Sequence, residues 1–240
     1  MKSAIKSTER RIGRNGLNRR AFVASLALAP AMATAWPAFA LTDQQELIDE
    51  ARITFDKLIT SLEFGELPGY VKKAKAVMIF PDIFKAGFVI GGQGGSGLLL
   101  VRDGAKGWSQ PAFYTLAEGS VGLQIGGQSS ETIFTIMSQK ALDAILDNQM
   151  KFGGDMSVAA GPHGKGIGSD TTTNFSSDVY TFSKTSGVFA GISFNGAGIL
   201  KNDDDNHAYY GPTATPYDIV IARKFSNPNT QALLNSMAPY

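Results

Sequence analysis

The sequence of 240 residues contains no cysteine, and this absence removes several kinds of chemistry at once. Disulfide bonds, thiolate metal sites, a thiol nucleophile and lipid attachment to an N-terminal cysteine are all excluded. Histidine and tryptophan are scarce, with two residues each. The fold must therefore be stabilised by an apolar core, and about 200 residues are ample for one such domain.

The sequence also lacks an apolar run long enough to span a membrane. The best candidate, Ala21–Ala35, has about 15 residues, whereas a spanning helix needs about 20. It follows the pair Arg19-Arg20 and precedes the small residues Ala38-Phe39-Ala40. This pattern predicts a twin-arginine-type signal peptide over residues 1–40 and a single exported domain over residues 41–240, periplasmic or secreted. An N-terminal membrane anchor is the alternative.

A strong charge of one sign is missing as well. The chain holds 22 basic and 21 acidic residues, of which seven basic and one acidic lie in residues 1–40. The remaining 200 residues then carry 15 basic and 20 acidic side chains, a net charge near −5. A mildly acidic domain does not attract nucleic acid by bulk charge, so no nucleic-acid partner is expected, and membrane binding would need a local basic patch.

Local signals predict helices at both ends and in the middle of the domain. Thr42 stands three residues before Gln45, the spacing of a capping box, and opens an amphipathic helix. Ser138 is a candidate N-cap for a mid-chain helix, and Thr215-Pro216 and Asn227-Pro228 open short C-terminal helices. The intervening segments read as strands, with Tyr70–Lys75 as a cationic turn, an apolar strand ended by Pro81, and Asn202–Asn206 as a solvated turn.

Glycine is concentrated between Ala86 and Val101, and Ile90-Gly-Gly-Gln93 recurs as Ile125-Gly-Gly-Gln128. Glycine inside an apolar strand marks a bulge, a bend or the close approach of another backbone. Together these features predict an α+β fold, mainly β. It is one domain of curved, glycine-rich, largely antiparallel sheet, barrel-like or sandwich, with an N-terminal amphipathic helix, a mid-chain helix and short C-terminal helices.

Motifs for nucleotides, metals and catalysis do not hold up. The spacing Gly92-x-Gly94-x-x-Gly97 is followed by the strand-like run Leu98–Val101, whereas a dinucleotide site requires a helix there. Gly161–Gly166 lacks the spacing of a phosphate loop. Asp203–Asp205 could hold a hard cation but lacks the pattern of a calcium loop, so a charged turn is the simpler interpretation. No enzyme activity, cofactor or metal site is predicted.

Basic residues near aromatic ones remain as the candidate functional feature. They could be scattered solvated side chains or a local patch for lipid headgroups. The candidate lipid-binding residues are Lys72, Lys73, Lys75, Lys85, Arg102 and Lys106.

Several blocks, taken in order, resemble the SYLF domain family. They are Phe80–Gly97, Trp108–Phe113, Gly122–Gln128, Gly154–Pro162, Gly187–Phe194 and Tyr209–Pro212. They cover roughly residues 42–225. The resemblance implies non-enzymatic binding of phospholipid or phosphoinositide-type headgroups at a membrane surface, as in eukaryotic members, while some yeast members bind actin.

For an exported bacterial protein, the resemblance implies an anionic phospholipid or membrane surface as the partner and peripheral membrane association. Actin is not expected as a partner in that setting. The alternative function is a structural or protein-interaction module of the cell envelope with an envelope protein as its partner. An enzyme is a third alternative, which a buried carboxylate pair in a deep pocket would favour.

Overall fold

A curled, half-barrel-like sheet forms the framework of the computed structural model, which describes residues 42–87, 90–121, 126–148, 150–152, 156–161, 177–187, 194 and 196–240. All of these belong to one compact unit, Ala40–Tyr240. The strands are β1 (Ala76–Gly87), β2 (Ile90–Asp103), β3 (Gly107–Trp108), β4 (Ala112–Val121), β5 (Gly126–Ile136), β6 (Val158–Ala160), β7 (Val179–Gly187) and β8 (Gly198–Lys201). Their order is β6-β7-β5-β1-β2-β4-β8, with β3 paired to β2. All neighbours are antiparallel except β6 and β7. The predicted fold class is confirmed.

Within the described residues, six helices pack on the two faces of this sheet. They are α1 (Asp43–Ile59), α2 (Leu67–Lys73), α3 (Gln139–Leu146), α4 (Asp203–Tyr210), α5 (Pro216–Val220) and α6 (Gln231–Met237), with a 3₁₀ turn at Pro228–Thr230. Alternate strand residues point to opposite faces. Val77 and Ile79 of β1 pack in the cluster that includes α1, α2 and α6, which we call the α1 face. Met78 and Phe80 pack in the cluster that includes α3 and α5, the α3 face.

The predicted helix starts are confirmed where a capping side chain defines them. The Thr42 hydroxyl accepts from the Gln45 N–H at the start of α1, and the Ser138 hydroxyl accepts from the Ala141 N–H at the start of α3. Thr215 caps α5 in the same way, with proline at the first position. Within the described residues, none of the helices combines the length and the apolar character that crossing a membrane requires.

The glycines of β2 permit a close approach between strands, as predicted. A Cβ at Gly95 would lie 2.2 Å from the backbone oxygen of Asp82, and one at Gly97 would lie 2.7 Å from that of Ile79. These contacts flank the point where the register of β1 against β2 shifts, between Ile79 and Phe84. Side chains at either position would therefore push β1 and β2 apart.

The described residues of the two Ile-Gly-Gly-Gln copies, 90–93 and 126–128, lie on either side of the central strand β1. In the register of the sheet, Lys85 of β1 stands opposite both Gln93 of β2 and Gln128 of β5. Ala86 likewise faces both Gly92 and Gly127. The recurrence in the sequence therefore reflects two strands that flank β1 in equivalent registers.

Three local predictions were wrong. Residues 67–73 form helix α2, not a turn, and β1 continues through Pro81 to Gly87. Pro81 is tolerated inside the strand because it falls at the register shift, where no ladder N–H is required. Residues 203–210 form helix α4, with Asn202 as its N-cap.

Other predictions lie outside the described residues. These are the signal peptide over 1–40, residues 162–166 of the rejected phosphate loop, and residues 188–193, which belong to the segments that read as strands because Val188, Ala190, Ile192 and Phe194 alternate with other residues.

Candidate functional site

Five of the six predicted basic residues lie at one end of the sheet. Lys72 and Lys73 form the last turn of α2, and Lys75 immediately precedes β1. Arg102 lies near the end of β2, and Lys106 lies in the turn that joins β2 to β3. The Arg102 N–H donates to the Lys75 backbone oxygen at 2.8 Å, which joins the two strands at this point.

Lys85 is not part of this group. It lies ten residues further along β1, which at about 3.3 Å per residue puts it on the order of 30 Å away. The structure thus separates Lys85 from the other predicted residues and puts it among the glutamines of the glycine-rich end.

Arg102 acts mainly as an internal brace. Its guanidinium donates to the backbone oxygens of Lys72, Val71 and Tyr240. It also lies over the Trp108 ring, 4.7 Å from the ring centroid, in a cation–π contact. Burial lowers the pKa of Arg102 from its ordinary value, but an arginine side chain stays protonated in proteins. Arg102 therefore contributes its charge while its donors are largely committed to carbonyl groups.

Arg223 is a second brace that the sequence did not reveal. It follows α5, adopts a left-handed φ of 52°, and donates to the backbone oxygens of Gly107 at 2.6 Å and Lys106 at 3.3 Å. It also reaches the backbone oxygens of Val101 and Trp108, both at 3.4 Å. No local pattern links position 223 to positions 101–108. The sequence offers only the basic pair Arg223-Lys224, which follows the helix predicted from Thr215-Pro216.

Two open clefts lie at the end of β2 and share Arg102 and Asp103. The tryptophan cleft has a volume of about 420 Å³ and is also lined by Lys106, Trp108 and Tyr240. The indole N–H of Trp108 donates to the Met237 backbone oxygen at 3.0 Å, which fixes the ring. This cleft therefore combines cationic groups with two aromatic rings.

The second cleft, the Arg223 cleft, has a volume of about 360 Å³. It is lined by Lys75, Arg223 and the exposed apolar side chain of Ile221, besides the two shared residues. Among the described residues that line the two clefts, Asp103 is the only aspartate or glutamate. It lines both clefts beside Arg102, and its negative charge partly offsets the positive charge there.

The lysines supply the accessible charge at this end. Lys72, Lys73, Lys75 and Lys106 are all exposed. The Lys72 ammonium lies 5.8 Å from the centroid of the Tyr240 ring. In the part of the chain that the structure describes, the side chains of Lys75 and Lys106 make no hydrogen bond or ion pair. We call Lys72, Lys73, Lys75, Arg102, Lys106 and Arg223 the basic end of the sheet.

The acidic and histidine side chains of α4 are the remaining candidates for a metal or catalytic site. Asp205 accepts hydrogen bonds from Asn202 and from Gln44, so it is held within the N-terminal turn of α4. His207 lies exposed in the last turn of the same helix. Across the described ranges, no group of three or more His, Asp or Glu side chains is placed to hold a metal ion.

The comparisons with known proteins agree with the motifs. The family model described as "Ysc84: Las17-binding protein actin regulator" matches residues 117–240. That range contains Arg223, while the lysines of the basic end and Arg102 precede it.

Similar curated proteins cover a larger part of the chain. The SH3 domain-containing YSC84-like protein 1 of Xenopus laevis is 32% identical over 160 residues, which are 66% of this chain and 48% of the relative. Protein YSC84 of Saccharomyces cerevisiae is 32% identical over 172 residues, 70% of this chain and 36% of the relative. The human SH3 domain-containing YSC84-like protein 1 is 30% identical over 157 residues, 65% of this chain and 46% of the relative.

The chain thus spans less than half the length of these relatives. What it shares with them is the domain itself. With a family model that matches more than half of its residues and the motif blocks in order, the chain belongs to the Ysc84 family, the SYLF family that its glycine-rich motifs indicate.

Proposed function

We propose that the chain is a non-enzymatic binder of anionic phospholipid surfaces, which it contacts through the basic end of the sheet. The observation that carries this proposal is the grouping of four exposed lysines at one end of the sheet. Of these, Lys106 lines the cleft walled by Trp108 and Tyr240, and the Lys72 ammonium lies beside the Tyr240 ring. Anionic headgroups would contact the ammonium groups, and the aromatic rings suit the boundary between headgroup and acyl chain.

The charge balance supports local rather than global attraction. Each lysine near an anionic surface contributes about 1 kcal/mol, so four contribute on the order of 4 kcal/mol. The Debye length is about 10 Å at 0.1 M salt, so carboxylates elsewhere on the domain oppose this only weakly. A net charge near −5 for residues 41–240 is therefore compatible with membrane binding at one end.

The setting proposed for this function is the periplasm or the cell exterior, with peripheral attachment to a membrane. The support is the pattern of residues 1–40, in which a twin-arginine pair precedes a short apolar run. Phosphatidylglycerol-type headgroups then become the natural anionic lipids, and phosphoinositide-type headgroups present the same phosphate chemistry.

Vesicle flotation tests the proposal with charge-matched variants of the full chain. The test variant carries Lys75→Gln and Lys106→Gln. The control carries Lys151→Gln and Lys184→Gln. Both lysines are exposed and lie away from the basic end, Lys151 in a β-bridge with Gly198 and Lys184 in β7. Both variants lose the same charge, and both keep the basic residues of positions 1–40.

On vesicles that contain phosphatidylglycerol, removal of two headgroup contacts costs about 2 kcal/mol, or about a 30-fold lower partition coefficient. The control is expected to change by less than about threefold. Near 1 M salt, where the Debye length is about 3 Å, the difference between the two variants should vanish. An equal loss in both variants, or recovery that does not depend on salt or on anionic lipid, would contradict the proposal.

A protein partner is the second candidate function. Its support is the family description, which names Las17 binding and actin regulation for that family. A pull-down from detergent-washed envelopes that recovers a defined partner, together with no vesicle binding, would favour this candidate over the lipid surface.

A further inference from the structure

A row of polar side chains crosses the sheet at the end opposite the basic end. Gln128 of β5, Lys85 of β1, Gln93 of β2 and Glu118 of β4 stand directly opposite one another on four adjacent strands. Directly paired residues point to the same side of a sheet. Because Lys85 lies two positions beyond Ile83, which packs on the α3 face, the row lies on that face. We call these four residues the polar row.

Gln128 is the feature of this row that needs an explanation. Its side chain is only 2% exposed, and neither amide atom has a hydrogen-bond partner among the described residues. Burying an amide without partners is costly, and such groups in native proteins signal a water, an ion or a ligand that belongs there. The group could make up to four hydrogen bonds, two as donor and two as acceptor.

The two charges of the row are held apart rather than paired. Lys85 and Glu118 lie two strands apart, about 10 Å at the ordinary strand spacing. Gln93 stands between them, 5% exposed, and its amide N–H donates to the Glu118 carboxylate. No ion pair joins Lys85 to a carboxylate within the described residues. Lys85 and Glu118 are each half-buried, so both charges are partly withdrawn from water.

The polar row therefore changes in charge from positive at one side to negative at the other. At the β5 side it offers an ammonium beside unused amide donors, and at the β4 side a carboxylate. Burial raises the pKa of Glu118, an effect opposed by Lys85 and by the Gln93 hydrogen bond. A lone anion would meet the carboxylate at one end, and a lone cation would meet the ammonium at the other. A ligand that carries both charges would satisfy both ends.

We propose that the polar row binds a small zwitterion, with its phosphate or carboxylate held by Lys85 and the Gln128 amide and its ammonium held by Glu118. The ligand could be a free solute or the headgroup of a zwitterionic lipid, since both present the same groups. The site is separate from the basic end, so it stands or falls independently of the anionic-lipid proposal.

Calorimetry on the full chain tests the chemistry with three probes: O-phosphoethanolamine, inorganic phosphate and ethylamine. O-phosphoethanolamine is expected to bind at least tenfold more tightly than either single-charge probe. Lys85→Met and Glu118→Gln should each weaken that binding at least tenfold. The control Lys184→Met, on the opposite face of the same sheet, should leave it unchanged. No binding of O-phosphoethanolamine, equal binding of phosphate alone, or full binding by Glu118→Gln would overturn the proposal.

The variant Gln128→Met gives a second test, which measures the stability of the unliganded protein and does not depend on ligand binding alone. Methionine has nearly the shape of glutamine but no polar atoms that need partners. Without ligand, this variant is expected to unfold at a higher urea concentration than the wild type, and it should lose O-phosphoethanolamine binding at the same time. A lower unfolding midpoint would show that the amide already has partners and would refute the site.

The source of the ligand follows from a competition arm. Uncharged vesicles of phosphatidylcholine, with or without phosphatidylethanolamine, are added before O-phosphoethanolamine. Competition by either kind of vesicle identifies a zwitterionic lipid headgroup, and competition only by those that contain phosphatidylethanolamine identifies a primary ammonium as the recognised group. Unchanged binding in both identifies a free solute, and either result supports a zwitterion site.

Discussion

Arg102→Met should destabilise the fold strongly although Arg102 lies at the rim of a cleft. Its guanidinium donates to three backbone oxygens, those of Val71, Lys72 and Tyr240, and stacks on Trp108. Allowing about 1 kcal/mol for each hydrogen bond in this partly solvated setting, and about 0.5–1 kcal/mol for the cation–π contact, the loss is about 3–4 kcal/mol. For a domain of about 200 residues this lowers Tm by about 10 °C.

Urea unfolding followed by circular dichroism measures this loss of stability. Two control variants separate the effect of the hydrogen bonds from the effect of the charge. Lys106→Met removes a neighbouring charge that makes no carbonyl contact, and it should change the free energy of unfolding by less than about 0.5 kcal/mol. Arg102→Lys keeps the charge but not the planar fork, and it should recover less than half of the loss. If the free energy of unfolding of Arg102→Met lies within about 0.5 kcal/mol of the wild-type value, the contacts of Arg102 do not stabilise the fold.

Two further predictions concern the sheet and its pH dependence. In urea unfolding, Gly95→Ala should lower the free energy of unfolding by about 3 kcal/mol, because the added Cβ would lie 2.2 Å from the Asp82 backbone oxygen. The control Gly104→Ala adds a Cβ in open space and should leave the free energy of unfolding nearly unchanged. Equal effects of the two variants would contradict the close approach of the strands. Hydrogen bonds from Ser138 and Ser157 hold the pKa of Asp178 below its ordinary value of 3.8. This stabilisation is present above that value and is lost as the pH falls through the lower folded-state pKa. Asp178→Asn should therefore be less stable than wild type at neutral pH, with a difference that narrows below about pH 4; a difference that persists to about pH 2 would refute this assignment.

The parts of the fold that the sequence predicted are those with a local cause. Thr42 and Ser138 cap helices through their own first turns, and the glycines of β2 mark a close backbone approach. Helix α2 was missed because seven residues with lysines at the end show no apolar period. Helix α4 was missed because three consecutive aspartates suggest a solvated turn, although acidic residues also favour a helix N-terminus.

Long-range contacts explain what remained out of reach. Asn206 is fully buried because its amide pairs with both the N–H and the backbone oxygen of Phe113, 93 positions away. The candidate site shows the same limit. Lys72, Lys73, Lys75 and Lys106 come to one end of the sheet because they flank the start of β1 and the β2–β3 turn. Lys85 does not join them because it lies far along the long strand β1. Arg223 joins them only through contacts more than 100 positions apart in sequence.

The proposal for the basic end makes Trp108 a reporter of the bound state. The chain has two tryptophans, and the other one, Trp36, lies in the predicted signal segment. Trp36→Phe in the full chain therefore isolates the fluorescence of Trp108, whose ring lines the tryptophan cleft.

The most direct test is the quenching of Trp108 by brominated lipids in this variant. If the basic end contacts the membrane, vesicles that contain brominated phosphatidylglycerol should quench the fluorescence, and Lys75→Gln with Lys106→Gln should weaken that quenching. Brominated vesicles without anionic lipid should leave it nearly unchanged. Binding to phosphatidylglycerol vesicles without any quenching of Trp108 would show that another surface faces the membrane, and it would contradict the central claim.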